Sequence, residues 1–348
     1  MRKLIKILLL IIVLMASIAG LFFLRSITTS TWIAEEEEMI VEIEKGGVLD
    51  VARELQAKGV IENEFIFSSY VFLRGGRGEL RAGRYKFEKG ETMIDVFEKL
   101  RDGDVFFETI TLKEGWTLRE MAHRFEERGI FEKEDFFRAT GIPLPQANLE
   151  GVEEVSPKEI NDFEVLKDKP EGASLEGYLF PDTYNIYFDS PEEVVQRMVS
   201  NLDERFSNDL LQAVQEKEKN IHEIIIMASL IEKEVRIFED KRKVSDILWR
   251  RLEVGMPLQV DATVNYVTGR RGVDVTIKET EVDSPYNTYE YKGLPEGPIS
   301  NPGMESIEAA LDPKENDYWY YLSEQEAGET IFSRTHEEHV RAKEKYLR

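Results

Sequence analysis

Acids at the end of an apolar helix are the residues best placed to do chemistry in this chain. Ile224-Ile225-Ile226-Met227-Ala228-Ser229-Leu230-Ile231 is a nearly unbroken apolar run that leads straight into Glu232-Lys233-Glu234. A helix that is apolar on every side is a buried helix. At helical spacing Glu232 lines up with Ile225, Ala228 and Ser229 and shares their packed surroundings, whereas Glu234 points almost to the opposite side. Only one of the two can enter a given cleft. A carboxyl beside apolar surface is harder to ionise, so Glu232 is the candidate to hold and deliver a proton near neutral pH. The competing assignment is an ordinary i,i+4 salt bridge from Glu232 to Arg236.

Other constellations offer less. His336-Glu337-Glu338-His339 sets two histidines three apart on the last helix, but the HExxH spacing and a third ligand are absent, so it reads as surface polarity. No GxSxG, phosphate loop or GxGxxG occurs, which leaves nucleophilic-serine, nucleotide and dinucleotide chemistry unsupported. The rest of the polar signal lies in turn-rich aromatic stretches: Leu175–Tyr184, Leu258–Thr263, Ser284–Tyr289 and Gly293–Gly303. Amides and tyrosines on Pro/Gly loops suit a sugar groove, where rings stack on apolar faces and amides hold hydroxyls. Taken singly, each is equally a well-capped loop.

Charge and composition narrow the classes further. With 45 basic against 68 acidic residues the net charge is −23, which opposes binding to nucleic acid or to anionic lipid. The chain has no cysteine, so disulfides, thiol nucleophiles and cysteine-ligated metals are excluded. A 42% hydrophobic share supports a real core, and 348 residues predict about two domains.

The elements that must carry these residues begin with a membrane signal. Arg2, Lys3 and Lys6 precede an uncharged apolar run from Ile7 to Leu24, long enough to cross a bilayer. Ser17-Ile18-Ala19 resembles a signal-peptide cleavage site, but Leu21-Phe22-Phe23-Leu24 continues the apolar run past it. An uncleaved anchor with its N-terminus inside is therefore expected, with residues 1–24 as tip and span and 25–38 as a linker. Beyond it, a short strand pattern, a glycine, a helical pattern and a second glycine recur three times, at Ile43–Gly59, Phe87–Gly103 and Leu112–Gly129. Thr92 and Thr117 suit helix N-caps and the second glycines suit left-handed C-caps. Three copies in one order indicate a repeated small α+β module. Residues 142–174, with Pro143, Pro145, Pro157 and Pro170 among many acids, read as a long surface loop. Helices are expected from Ser190 to about Phe206, near His222–Val235, near Asp240–Glu253 and over Glu337–Leu347.

Five of these stretches, Leu175–Tyr184, Ala228–Glu234, Leu258–Thr263, Ser284–Tyr289 and Gly293–Gly303, in this order behind one N-terminal span, resemble the endolytic murein transglycosylase family, also called YceG-like or MltG. The resemblance runs from about Glu42 to the C-terminus. It implies an α+β fold with a LysM-like module at 39–105 and a catalytic region at 106–348 that includes the third repeat at about 108–130. It places the catalytic glutamate on Glu232, with Gln259, Tyr286, Asn287, Glu176, Tyr178 and Asp261 as candidate sugar-binding residues. Implied partners are peptidoglycan glycan strands, the cytoplasmic membrane and peptidoglycan synthases, with no metal or cofactor. One departure is Ala262, where members often carry proline after the aspartate, and the acidic 145–172 stretch is longer than expected.

The implied reaction is endolytic cleavage of the MurNAc–GlcNAc bond with closure of a 1,6-anhydro ring, on nascent strands outside the membrane. Two alternatives stay open. One is a non-catalytic wall-binding adaptor, and the other is a hydrolase pairing Glu232 with Asp261 or Glu176. On this basis Glu232→Gln is expected to abolish turnover and Glu234→Gln to be mild. The anchor makes a separate prediction: the expressed protein keeps Met1–Leu24 and sediments with membranes, and a soluble form beginning at Gly20 would identify a cleaved signal peptide instead.

Overall fold

A computed structural model of the protein describes residues 2–30, 32–76, 78, 80–158, 160, 163–187, 189–270, 275–323 and 329–346. The chain forms two compact α+β units, 1–108 with 185–188, and 109–184 with 189–348.

The first unit opens with α1 (Arg2–Thr28), whose residues from Leu4 to Leu14 are all exposed or lie on bare helix surface. Two strand–helix pairs follow. β1 (Glu38–Ile43) pairs antiparallel with β2 (Gly83–Glu88), in register from Glu38↔Glu88 to Ile43↔Gly83. Helices α2 (Val48–Ala57), α3 (Glu64–Leu73) and α4 (Met93–Asp102) close over the ribbon. The apolar positions Val51, Leu55, Val96, Phe97 and Leu100 bury against Val41, Ile43, Tyr85 and Phe87, which is the inward alternation of the strands meeting the inward stripes of the helices. Thr92 caps α4 reciprocally with Asp95, and Gly103 ends it in the left-handed conformation.

Residues 25–38 carry structure. The helix continues to Thr28, Ile27 is buried, Trp32 packs on the core, and Ile33 donates its N–H to Gly59 O. The apolar side chains of Ile27 and Trp32 draw that stretch onto the unit, and the Ile33 backbone fastens it.

In the second unit the third strand–helix pair, β3 (Glu108–Thr111) and α5 (Leu118–Glu127), has the same Thr–Glu capping box, at Thr117 and Glu120. α6 (Lys133–Thr140) and α7 (Leu144–Glu150) follow. The stretch expected to be surface loop thus contains a helix with Gln146 and Ala147 buried, and Val165 beyond it is buried too. Pro143 and Pro145 sit at its N-terminal end, where proline is tolerated, so they start a helix instead of preventing one. β4 (Thr183–Ile186) leads to α8 (Pro191–Arg205), started by the Ser190–Glu193 capping box, and then α9 (Asn208–Glu216).

α10 (Ile221–Glu234) is the central helix, fully enclosed from Ile224 to Ile231. It packs on α11 (Phe238–Glu253), α12 (Asp261–Thr268) and α13 (Met304–Leu311). The antiparallel ribbon of β5 (Tyr320–Ser323) and β6 (Thr330–Ser333) and the helix α14 (His336–Tyr346) complete the unit. The expected end of that helix at Leu347 lies outside the described residues.

Candidate active site

Three loops converge beside α10 because their backbone groups are buried and need partners. Asn301 satisfies most of them. Its Oδ1 accepts from the N–H groups of Gly177 and Leu179 at 3.0 Å each, and its Nδ2 donates to Trp116 O and Glu176 Oε1 at 2.9 Å each. Glu176 is buried and accepts in turn from Leu118 N–H and the Tyr266 hydroxyl. Burial outweighs those two donors and pushes its carboxyl up to about 8. Gly177, at φ +88°, lies so close to Pro298 and Ile225 that a Cβ would come within 2.6 and 2.8 Å of them.

This scaffold borders a cleft of about 750 Å³ lined by residues of α5, α10, α12, β5 and α14 and by Gln259 and Tyr289. Glu234, the last residue of α10, opens into it. Its carboxylate accepts hydrogen bonds from the Tyr321 hydroxyl and from the Ala262 N–H at the start of α12. Burial and then the negative charge of Asp261 raise its pKa to about 7, against the pull of those donors and of the Arg251 guanidinium. Arg251 is itself held by the carbonyls of Leu258 and Trp319. Glu234 can therefore be either protonated or ionised at neutral pH, and it is in contact with open space.

Glu232 occupies a different place. Its Oε2 accepts from Gly303 N–H at 3.0 Å and from the Ser306 hydroxyl at 2.7 Å, and Lys241 Nζ lies 3.5 Å from both oxygens. The Glu232 and Lys241 side chains are 9% and 3% exposed. The packed face predicted for Glu232 is real, but what packs there is the N-terminus of α13, where a carboxylate complements the exposed N–H groups and the helix dipole. Glu232 does not line the cleft. It clamps α10, α11 and α13 together.

The other expected site residues separate in the same way. Gln259 and Asp261 line the cleft. Gln259 holds the unusual φ of +51°, with its N–H on Thr288 O, and Asp261 accepts from the Tyr289 hydroxyl. Tyr286 is buried with its ring 5.2 Å from that of Tyr266. Asn287 spends its amide inside its own loop, on Thr280 O, Val282 O and Tyr289 N–H. Tyr178 is fully buried, stacked on His222 and sharing a 2.8 Å hydrogen bond with it. Glu176 supports the cleft from beneath. None of these four reaches the cleft surface.

Several lining residues were not among the expected site residues. Tyr321, Arg251 and Asn265 carried no local signal, and Tyr289, Lys233 and Thr117 lay in stretches already singled out for other reasons. His336 and His339 lie on the last helix as expected, His336 exposed and His339 half-buried, and both also line the cleft. Both lie against Tyr320, His339 stacked at 5.3 Å, and burial pushes the His339 imidazole down to about 4. Three exposed acids, Glu126, Glu132 and Glu134, lie close enough together to hold a cation, but outside the cleft.

The clamp and the cleft acid respond differently to substitution. Glu232→Ala takes from the buried Lys241 its enclosed carboxylate partner, leaving the exposed Glu305 at 3.8 Å and the charge of Glu114, and is expected to cost about 3–5 kcal/mol in denaturant unfolding. Glu234→Gln should leave the unfolding midpoint close to wild type. Equal stability of the two variants would contradict the clamp.

The same architecture occurs in known proteins. Residues 41–345 match the YceG-like family. The chain is 35% identical over 303 residues to a Bacillus subtilis protein named endolytic murein transglycosylase, covering 85% of this chain and 81% of that one. A Streptococcus pneumoniae protein of the same name is 28% identical over 313 residues, and the chain spans 56% of its length. The crystal structure of a YceG-like protein from Listeria monocytogenes superposes with a TM-score of 0.57 at 33% identity, covering 88% of this chain and all of that one. The chain belongs to the YceG-like family.

Proposed function

We propose that the protein is an endolytic murein transglycosylase, anchored in the cytoplasmic membrane, that uses Glu234 as its acid and base. The observation that carries this is the Glu234 carboxyl, open to the cleft and raised to about 7 at the end of a buried helix. The names of the curated relatives supply the substrate, murein.

One titrating carboxyl is sufficient for this chemistry. Protonated Glu234 gives its proton to the glycosidic oxygen between MurNAc and GlcNAc as the bond breaks. As a carboxylate it then accepts the proton of the MurNAc C6 hydroxyl, which closes on C1. That hydroxyl is tethered to the reacting sugar, so its effective concentration far exceeds that of a free nucleophile. The products are a free GlcNAc hydroxyl and a 1,6-anhydroMurNAc end, with no net uptake of water. Gln259 presents an amide for the N-acetyl group or ring hydroxyls, and Asp261 keeps the acid protonated by charge.

The apolar helix α1 serves as the anchor, with its N-terminus inside and the second unit outside. The repeated strand–helix pairs of the first unit act as a LysM-like glycan contact, and nascent strands made by membrane-bound synthases are the substrate. A second reading, a two-carboxylate muramidase, is favoured by Asp261, which shares the cleft with Glu234.

Glu234→Gln is expected to lower turnover of purified glycan strands by about 10²–10⁴-fold, the usual worth of a general acid, while Glu232→Gln retains activity in whatever fraction stays folded. In heavy-oxygen water, wild-type products should carry no label at the new reducing ends and should be one water lighter by mass than hydrolytic products. Labelled ends would establish the muramidase. Because the protonated form of Glu234 starts the reaction, kcat/KM should fall tenfold per pH unit above about pH 7. Asp261→Asn removes a like charge and should move that fall to lower pH. A profile flat through neutrality would remove Glu234 from the acid role.

A further inference from the structure

The first unit carries an apolar face that its own core does not use. Asn63 caps α3, and the helix turns Phe67, Tyr70 and Val71 inward. On its other side Phe65 and Leu73 are 69% and 76% exposed, and Phe72 and Ser69 are exposed between them. At one residue per 100° these four positions fall on a single stripe about 100° wide. Three large apolar side chains on one stripe are an unfavourable surface to present to water.

α3 is a direct neighbour of α1. Within this unit α1 also meets α4. Its last turns belong to the unit, with Ile27 buried and Phe23 packed on the same core, whereas Leu21 and Phe22 are 68% and 63% exposed. The bare side of the helix therefore runs, through Leu24 at 56% exposed, into the turns that pack on the unit. A helix rises about 5.4 Å per turn, so a bilayer that takes up α1 through Phe22 has its surface within about a turn of the unit. The chain's charge of −23 gives little electrostatic attraction to anionic headgroups, so contact with lipid there has to be made by apolar side chains.

We propose that the Phe65–Phe72–Leu73 face of α3 seats in the headgroup–acyl boundary of the membrane that α1 crosses, with Arg74 at the helix end among the headgroups. This rests on α1 being an uncleaved anchor. The first unit is then held to the bilayer at two places, and its height and tilt above the membrane are fixed.

Because the chain has no cysteine, single cysteines can be placed and labelled cleanly. Full-length Phe65→Cys, Leu73→Cys, Leu49→Cys and Ile12→Cys, each carrying a polarity-sensitive fluorophore, would be reconstituted in phosphatidylcholine–phosphatidylglycerol vesicles with and without brominated lipid. Leu49 is 48% exposed on α2 and is the water-facing control, and Ile12 reports the span itself. The expected result is blue-shifted emission and bromolipid quenching at positions 12, 65 and 73, and neither at 49. Quenching at 12 with none at 65 and 73 overturns the proposal while leaving the anchor intact. A blue shift at 65 and 73 without quenching means a protein surface covers the face, which also overturns it. No quenching at 12 means the anchor reading fails, and the proposal fails with it.

Discussion

Asn301 is the point on which the second unit's cleft depends. One side-chain amide makes four hydrogen bonds, two accepted and two donated, and so ties its own loop to the two loops that carry Trp116 and Glu176–Leu179. A buried amide with all its valences filled is worth more as a constraint than as a source of stability, because each loop leaves a buried polar group orphaned if it moves. Glu176 extends the constraint to the start of α5 and to Tyr266 on α12. The cleft walls are thus fixed relative to α10 by polar groups that never touch its contents.

The two acids of the Glu-Lys-Glu triplet are both largely enclosed and differ in what encloses them. Glu232 is the more fully partnered, with an ammonium, a hydroxyl and a backbone N–H around it, and these partners tie it to α11 and α13. Glu234 has the opposite balance. Apolar surroundings and a neighbouring negative charge resist its ionisation, and two hydrogen-bond donors only partly offset them. A proton carrier needs that near-equality between its two states.

Elements with end signals were legible in the sequence. The capping boxes at Thr92, Thr117 and Ser190 and the apolar run of α10 place their helices within a residue or two. α3 was not, because apolar residues occupy its outer face as well as its buried one and the polar face that marks an amphipathic helix is missing. α7 was hidden by prolines that start it. At the site, the helical wheel separates Glu232 from Glu234 correctly but cannot say which side is filled by protein and which by the cleft. That is decided by α13 and by β5, about 70 to 90 residues further along the chain. Loop chemistry had the same ambiguity: Gln259 and Asn287 look alike in sequence, and only the register of the loop decides that one amide faces the cleft while the other closes its own turn.

The Ala262 N–H that reaches Glu234 is a backbone donor, and this changes how the site tolerates sequence drift. Nineteen of the twenty residues supply that hydrogen, so this donor survives side-chain variation at 262. Proline alone deletes it, because its ring nitrogen carries no hydrogen. A chain with proline after the aspartate holds its cleft acid with one donor fewer and so with a carboxylate less favoured, which raises the pH at which that acid gives up its proton. A single backbone hydrogen at the start of α12 thus sets part of the proton affinity of a side chain on another helix.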